Sequence, residues 1–271
     1  MEKKKKRLII FSCIAGTLIL LVLLSSAIFK IKTVSVEYRT TLTTLSVQEL
    51  NLMVEESNIP YGKSIFFSSL SDNAAEMEKE HPYVKINKIE RKFPNSLVVL
   101  VSERVPVVQV KADNGKTYIL DSELKVLNVV SGDSEYNSQT GEHDLPILID
   151  ESGNFAQELK LYSAGDFVEN EQIEAYVDAF YRGAVTTGDV DSSVAISLLH
   201  TIKEIKFSHS KSLDEMVFNI TYKDNDIKTE IVGDNNLVDD IYKIMCVIAT
   251  EEDYAEVNCT HGVIYAKRKG E

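Results

Sequence analysis

The sequence has few of the residues from which metal sites and disulfide frameworks are built. It contains three cysteines in 271 residues, with no CxxC pair and no Cys/His spacing of a zinc site. Its five histidines are far apart, at His81, His143, His200, His209 and His261. We therefore expect neither a metal nor a cofactor. The state of Cys246 and Cys259 stays open, because the two could pair outside the cytoplasm or remain small buried thiols.

Sequence motifs of catalysis are also lacking. The chain has no GxSxG, no HExxH and no glycine loop that would cradle a phosphate. Ser208 and Lys211 satisfy the S-x-x-K pattern that begins the motif set of penicillin-binding proteins, but no KTG follows anywhere. We predict that the protein is not an enzyme and has no catalytic residues.

Positive charge is scarce outside the N-terminus. The formal net charge is −13; residues 1–7 contribute +4 and Lys30 with Lys32 add +2, which leaves −19 for residues 33–271. Binding to nucleic acid needs clustered Lys and Arg for the phosphates, so we predict no nucleic-acid partner. The partners of so acidic a body are expected to be proteins.

One long segment contains no charge at all. Leu8 to Phe29 is an apolar run of 22 residues that follows the basic residues 1–7. Such a helix is about 33 Å long, enough to cross the hydrocarbon core of a bilayer. The pattern predicts a single-pass cell-membrane protein with a cytoplasmic head at residues 1–7, a transmembrane helix at residues 8–29 and an extracytoplasmic body. The alternative is a cleaved secretory signal, for which the run is long.

After this run the hydrophobic pattern predicts the element order β-α-α-β-β. A strand at Thr33–Tyr38 precedes a helix that opens with Ser46 and Glu49, the spacing of a capping box. A second helix at about residues 70–80 leads into a hairpin. Further on, the pattern predicts short strands, amphipathic helices at about residues 171–184 and 236–250, and one final strand at about Glu256–Lys267.

The predicted fold class is α+β. It consists of the N-terminal transmembrane helix, a β-α-α-β-β domain at residues 33–104, and a β-rich domain with flanking helices at residues 105–268. No internal repeat is visible in the sequence.

The hairpin carries the most specific motif, between His81 and Pro106. It reads His81-Pro82-Tyr83-Val84, then Arg91-Lys92-Phe93-Pro94-Asn95-Ser96-Leu97, then Glu103-Arg104-Val105-Pro106. This pattern resembles the POTRA domain of the FtsQ/DivIB family of bacterial cell-division proteins. The motif residues with a structural role are Pro82, Val84, Arg91, Pro94, Asn95, Leu97, Glu103 and Pro106. The segment Tyr118–Val126 is similar to a strand-turn-strand of the family, with Leu124 where a glycine is usual.

The resemblance implies a non-enzymatic scaffold of the divisome, enriched at the division septum. It implies binding of FtsL-like and DivIC/FtsB-like coiled-coil division proteins, near the septal peptidoglycan synthase, which is a further possible partner. In the family such a partner adds a strand to the last strand of the β domain. The corresponding residues here are Cys259, Thr260, His261, Gly262, Val263, Ile264, Tyr265, Ala266 and Lys267.

Two other functions remain open at this point. A POTRA-bearing protein of secretion or surface assembly would predict tandem POTRA units, and an envelope enzyme would predict a convergent set of nucleophile and base. The sequence offers neither pattern.

Overall fold

The computed structural model describes most of the chain from Ile28 onward. The described residues are 15–17, 28–39, 46–56, 59–66, 70–131, 145–185, 199, 201–223, 225–248 and 253–270. The chain divides into two compact units, Met1–Glu103 and Arg104–Glu271. The domain bounds predicted from the sequence stay a prediction.

The first unit is a three-stranded sheet with two helices. Its elements are β1 (Thr33–Tyr38), α1 (Val47–Glu56), α2 (Ser71–Glu80), β2 (Val84–Lys92) and β3 (Ser96–Glu103). The strand order is β1-β3-β2, with β1 parallel and β2 antiparallel to β3. Leu97, Val99 and Val101 of the central strand are buried with Leu50 and Met53 of α1, because alternate residues of a strand share one face.

The start of α1 confirms the capping box. The amide of Glu49 donates to Oγ of Ser46 at 3.2 Å, and the amide of Ser46 donates to Oε2 of Glu49 at 2.7 Å. Two backbone donors that the helix itself leaves unpaired are thereby bonded.

The second unit is a nine-stranded mixed sheet with helices. Its elements are β4 (Val108–Lys111), β5 (Lys116–Leu120), β6 (Val126–Ser131), β7 (Ile147–Asp150), α3 (Asn154–Glu158), α4 (Glu171–Val185), β8 (Ile202–Ser210), β9 (Glu215–Tyr222), β10 (Thr229–Val232), α5 (Leu237–Ile248), β11 (Tyr254–Thr260) and β12 (Val263–Arg268). The strand order is β12-β11-β10-β9-β8-β7-β4-β5-β6. Strands far apart in the chain therefore become neighbours, and β12 lies at one end of the sheet.

Helices α4 and α5 pack closely on each other at Gly183. A Cβ atom at that position would lie 2.8 Å from Cβ of Ile241. The absence of a side chain at Gly183 is thus what lets the two helices approach. Ile241 and Ile244 of α5 are fully buried in the core of this unit, with Phe180 of α4.

The prediction of one continuous final strand is wrong. The chain forms two strands there, β11 and β12, joined by a turn at His261 and Gly262. Both turn residues have a positive φ, 49° and 81°. Two consecutive residues in this region form the tight turn of a two-residue hairpin, and a strand cannot continue through it.

The predicted transmembrane helix at residues 8–29 is contradicted. In the part of the chain that the structure describes, no helix is long and apolar enough to cross a membrane. The longest of the described helices, α4, has 15 residues, and a helix of that length spans about 22 Å where a bilayer core needs about 30 Å. Residues 1–14 and 18–27, which include the predicted cytoplasmic head and most of the predicted helix at residues 8–29, lie outside the described residues.

This finding corrects two predictions. The fold is mixed α/β with a large β-sheet, and none of its described helices is long and apolar enough to be the predicted transmembrane helix. The predicted location as a single-pass membrane protein with an extracytoplasmic body at the septum is corrected with it, because that location depended on the helix.

Candidate docking edge

The candidate site is the outer edge of β12. On one side β12 pairs with β11 in antiparallel register, from Thr260 opposite Val263 to Glu256 opposite Lys267. On its other side no strand pairs with it among the described residues. An edge of this kind presents backbone N–H and C=O groups to which another chain can add a strand.

The hydrogen bonds of β11 show which groups of β12 face this edge. The amides of Val257 and His261 donate to the carbonyls of Lys228 and Val232, on the β10 side, at 2.9 and 3.4 Å. Successive residues of a strand direct their backbone groups to opposite sides. The alternate residues of β11 therefore direct theirs toward β12; these are Glu256, Asn258 and Thr260.

The opposite residues of β12 are consequently occupied within the sheet. Glu256, Asn258 and Thr260 lie opposite Lys267, Tyr265 and Val263, and these pairs exchange their backbone hydrogen bonds. By the same alternation, Ile264 and Ala266 direct their N–H and C=O groups outward. These two residues present the unpaired backbone groups of the edge.

The side chains along β12 differ between its two faces. Val263 and Tyr265 are 52% and 60% exposed, and they share one face because they are two residues apart. Ile264 lies on the opposite face, partly buried against the core of the unit. A strand added here would therefore cover two large exposed side chains on one face and continue the core on the other.

The turn between β11 and β12 is held from three sides. The amide of His261 donates to the carbonyl of Val232 at 3.4 Å. Nε2 of the His261 side chain lies 3.6 Å from a carboxylate oxygen of Glu215. From α5, Nζ of Lys243 donates to the carbonyl of Gly262 at 3.2 Å. These contacts fix the position at which β12 begins.

A buried carboxylate lies beneath this turn. Asp240 of α5 is 3% exposed, and its Oδ1 has no hydrogen-bond partner within the described residues. The nearest cation is Nζ of Lys243, 3.8 Å from that oxygen. Lys243 therefore both bonds the turn and compensates a buried charge.

Cys259 is fully buried beside this carboxylate. Burial, together with the charge of Asp240 and a hydrogen bond to it, raises the pKa of the Cys259 thiol to about 11. Cys246 is exposed, and both are free thiols. The thiol of Cys259 thus belongs to the interior of the sheet.

The residues predicted for the docking strand fall into three structural classes. Cys259 and Thr260 lie in β11, which is an inner strand, and His261 and Gly262 form the turn. The remaining five lie in β12; they are Val263, Ile264, Tyr265, Ala266 and Lys267. Their role in partner binding stays a prediction. Sequence reasoning missed Lys243 and Glu215, because neither lies near β12 in the sequence.

The motif residues of the first unit lie around its hairpin. Val84 and Leu97 are buried in the core, and the Phe93–Pro94 peptide bond is cis. The carbonyl of Asn95 accepts a hydrogen bond from the amide of Lys32 at 2.9 Å. Nε of Arg91 donates to the carbonyl of Ile65 at 2.7 Å. The other motif residues border the hairpin strands: Pro82 precedes β2, Glu103 ends β3 opposite Val84, and Pro106 follows β3.

The outer edge of β2 is partly closed by residues of its own unit. The amide of Ile86 donates to Oε1 of Glu78 at 2.6 Å. The strand register shifts between Ile86 and Lys88, which marks an irregularity in the pairing. A bonded edge amide and a bulge both oppose the addition of a strand. The pairing of β12 with β11 also shifts, between Tyr254 and Glu256, but there the extra residue lies in β11 and not in the edge strand. Among the described residues no side chain bonds the amides of Ile264 and Ala266, so the edge of β12 is the better candidate.

Residues 29–104 match the family model described as POTRA domain, FtsQ-type. No curated protein matches the chain. The matched residues include the hairpin and therefore define the class of this part of the chain as an FtsQ-type POTRA domain. The match confirms the resemblance that the hairpin motif indicated.

Proposed function

We propose that this protein is a scaffold of the bacterial division machinery that binds small coiled-coil division proteins by strand addition at the edge of β12. FtsL-like and DivIC/FtsB-like proteins are the proposed partners, near the septal peptidoglycan synthase. The observation that carries the proposal is the outward direction of the backbone groups of Ile264 and Ala266 at an unpaired sheet edge.

Three features of the edge support this mode of binding. The main-chain groups of Ile264 and Ala266 supply hydrogen bonds that do not depend on the partner's sequence. The exposed Val263 and Tyr265 supply apolar area, of the kind that anchors an interface when it is buried. The tethered turn at His261 and Gly262 fixes the strand before the partner arrives, which lowers the ordering cost of binding.

The test is a pair of substitutions at one residue. In Ala266→Pro the outward amide donor is removed, while the bonds of Val263, Tyr265 and Lys267 to β11 are retained. In Ala266→Val the donor is kept and the added bulk is similar. We expect the proline variant of the full chain to bind a purified FtsL-like/DivIC-like complex at least about tenfold more weakly, and the valine variant to bind nearly as the parent does.

A third variant tests whether the loss of partner binding comes from the edge of β12 and not from unfolding of the sheet. Tyr265→Pro removes an amide that bonds β11, so it should unfold the hairpin and lower thermal stability. Ala266→Pro should leave the circular dichroism spectrum and the melting temperature close to those of the parent. If a folded Ala266→Pro protein binds with unchanged affinity, strand addition at this edge is excluded.

A further inference from the structure

A second surface feature lies in the first unit, at the junction of α2 and β2. It is a cavity of about 160 Å³ that is open to solvent. Its apolar lining comes from Leu50 and Met53 of α1 and from Pro82, Tyr83 and Val84, and its polar lining comes from Glu49, Glu80 and His81. Pro82 and Tyr83 belong to the sequence motif of the hairpin, so the motif contributes a surface as well as a turn.

The size of the cavity corresponds to one large apolar side chain. An apolar cavity of about 150 Å³ holds a benzene ring, so this one can hold the side chain of a Phe or a Leu. Interfaces obtain much of their free energy from single anchor residues that fill such pockets. Leu50 and Met53 are each 1% exposed, so an inserted side chain would complete the packing of an existing core.

The charges of the lining residues select the residues that flank the anchor. Two glutamates, Glu49 and Glu80, line the cavity, and its lining as described includes no lysine or arginine. Helix α2 ends at Glu80, so the negative end of its dipole points to the same place. A cation beside the anchor is therefore favoured, and an anion is disfavoured.

Strand addition is disfavoured as the mode of docking beside the cavity. The amide of Ile86, which faces the outer edge of β2, is already bonded to Glu78 at 2.6 Å. We therefore expect a partner at this place to bind through a side chain in the cavity, because the neighbouring backbone donor is occupied.

We propose that this cavity is a docking pocket for a protein partner that inserts one Phe or Leu side chain, with a Lys or Arg next to it in sequence. It is separate from the edge of β12, and it lies in the other unit of the chain. It therefore gives the protein a second contact, whose partner is basic and need not supply a strand.

The protein contains a reporter inside the pocket. Met53 is one of five methionines, so methyl-¹³C-methionine labelling of the full chain gives a spectrum of five signals, with Met53 assigned through Met53→Leu. The probe is the blocked heptapeptide Gly-Ser-Lys-Phe-Lys-Ser-Gly. We expect it to shift the Met53 signal with a dissociation constant in the millimolar range, while the signal of Met216 in the other unit stays unchanged.

Two control peptides separate the anchor from the charge. Replacing the Phe of the peptide by Ala should weaken binding at least about tenfold, since the apolar contact is lost. Replacing both lysines by Glu should weaken it about as much, because carboxylates would face carboxylates. On the protein, Glu80→Lys should weaken binding of the Lys peptide at least about threefold, whereas Glu37→Lys on β1, which does not line the cavity, should not.

Three outcomes overturn the proposal. One is a Met53 signal that does not shift at about 10 mM peptide, because the dissociation constant would then be above the millimolar range that we expect. Another is equal binding of the Phe and Ala peptides, which would show that the cavity holds no anchor. The third is a Met53 shift that depends on protein concentration without any peptide, which would assign the pocket to a second copy of this chain. Glu80 is exposed at the end of a helix, so its substitution by Lys should leave the fold intact.

Discussion

The ammonium group of Lys243 donates a hydrogen bond to the carbonyl of Gly262 at 3.2 Å, and so joins α5 to the turn from which β12 begins. The same nitrogen lies 3.8 Å from the buried carboxylate of Asp240. One side chain therefore both positions the proposed docking strand and offsets a charge in the interior. Removal of this side chain should therefore affect both the turn at Gly262 and the buried carboxylate of Asp240.

The first prediction concerns this lysine. Lys243→Met should lower the free energy of unfolding by about 2 kcal/mol, because the carboxylate of Asp240 stays buried without its cation. The backbone amides of the β11–β12 turn should exchange with deuterium faster, and binding of the coiled-coil partners should weaken. Chemical denaturation and hydrogen exchange measure the two effects.

The matched control is the double variant Lys243→Met/Asp240→Asn. It removes the uncompensated charge, so it should be more stable than Lys243→Met alone, while the turn stays without its bond to α5 and exchanges as fast as in the single variant. Equal stability of the single and double variants would mean that Asp240 is not compensated by Lys243.

The order of elements in the first unit could be predicted from the sequence, and the direction of the backbone groups of β12 could not. The alternation of Thr33–Tyr38 and the spacing of Ser46 and Glu49 are local signals, and the structure contains both the strand and the capping box. The direction of the amide of Ala266 depends on how β11 bonds β10, whose residues are about thirty positions away. No local pattern contains that information.

The turn at His261 and Gly262 could not be predicted from the sequence for a different reason. The alternation of apolar residues continues on both sides of it, so the pattern favours one strand. Glycine adopts a positive φ at little cost and histidine at a modest one. The pair therefore makes a hairpin turn without the Asn-Gly or Asp-Gly signal on which such predictions depend.

A second prediction concerns Leu124, which lies between β5 and β6 with a φ of 53° and is completely buried. A branched side chain in this left-handed region costs about 1 kcal/mol. Leu124→Ala should lose the buried side chain and keep the strain, whereas Leu124→Gly should lose the side chain and relieve it. We expect the glycine variant to be at least as stable as the alanine variant in urea denaturation.

The control is a buried leucine of the same unit in a regular strand. Leu120 is equally buried, in β5, and there Gly should be less stable than Ala by about 0.5–1 kcal/mol, as glycine ordinarily is. The same order of Gly and Ala at both positions would show that Leu124 carries no strain.

A third prediction concerns the pH dependence of the α1 terminus. Hydrogen bonds from the backbone and hydroxyl of Ser46 lower the pKa of Glu49. Because the folded-state pKa is depressed, the stabilisation is present above the unfolded pKa of about 4.3 and is lost as the pH falls through the folded value. Ser46→Ala should therefore speed hydrogen exchange in the first turn of α1 at pH 7 by about fivefold, for a loss of about 1 kcal/mol.

The difference between parent and variant should shrink as the pH falls below about 4, because the protonated Glu49 no longer accepts, as an anion, the hydrogen bond from the Ser46 hydroxyl that the variant lacks. Ser71→Ala at the start of α2 is the matched control. Ser71 is the first residue of that helix, and the N-cap position before it is occupied by Leu70, so no serine caps this helix. A Ser46→Ala effect that stays constant down to pH 3 would contradict the role of the ionised Glu49.

The last prediction distinguishes the two described cysteines by their reactivity. The thiolate is the reactive form, and burial beside Asp240 raises the pKa of Cys259 to about 11 from the usual 9.0, which lowers the thiolate fraction at pH 8 about 100-fold. Iodoacetamide should therefore alkylate the exposed Cys246 at least about 100 times faster than Cys259 in the folded protein, as peptide mass mapping would show.

In urea both should react at similar rates, since burial and the contact with Asp240 are lost together. In Asp240→Asn the charge is removed while burial remains, so Cys259 should react only modestly faster; fast alkylation of Cys259 in the folded parent would mean that β11 is not an inner strand of the sheet.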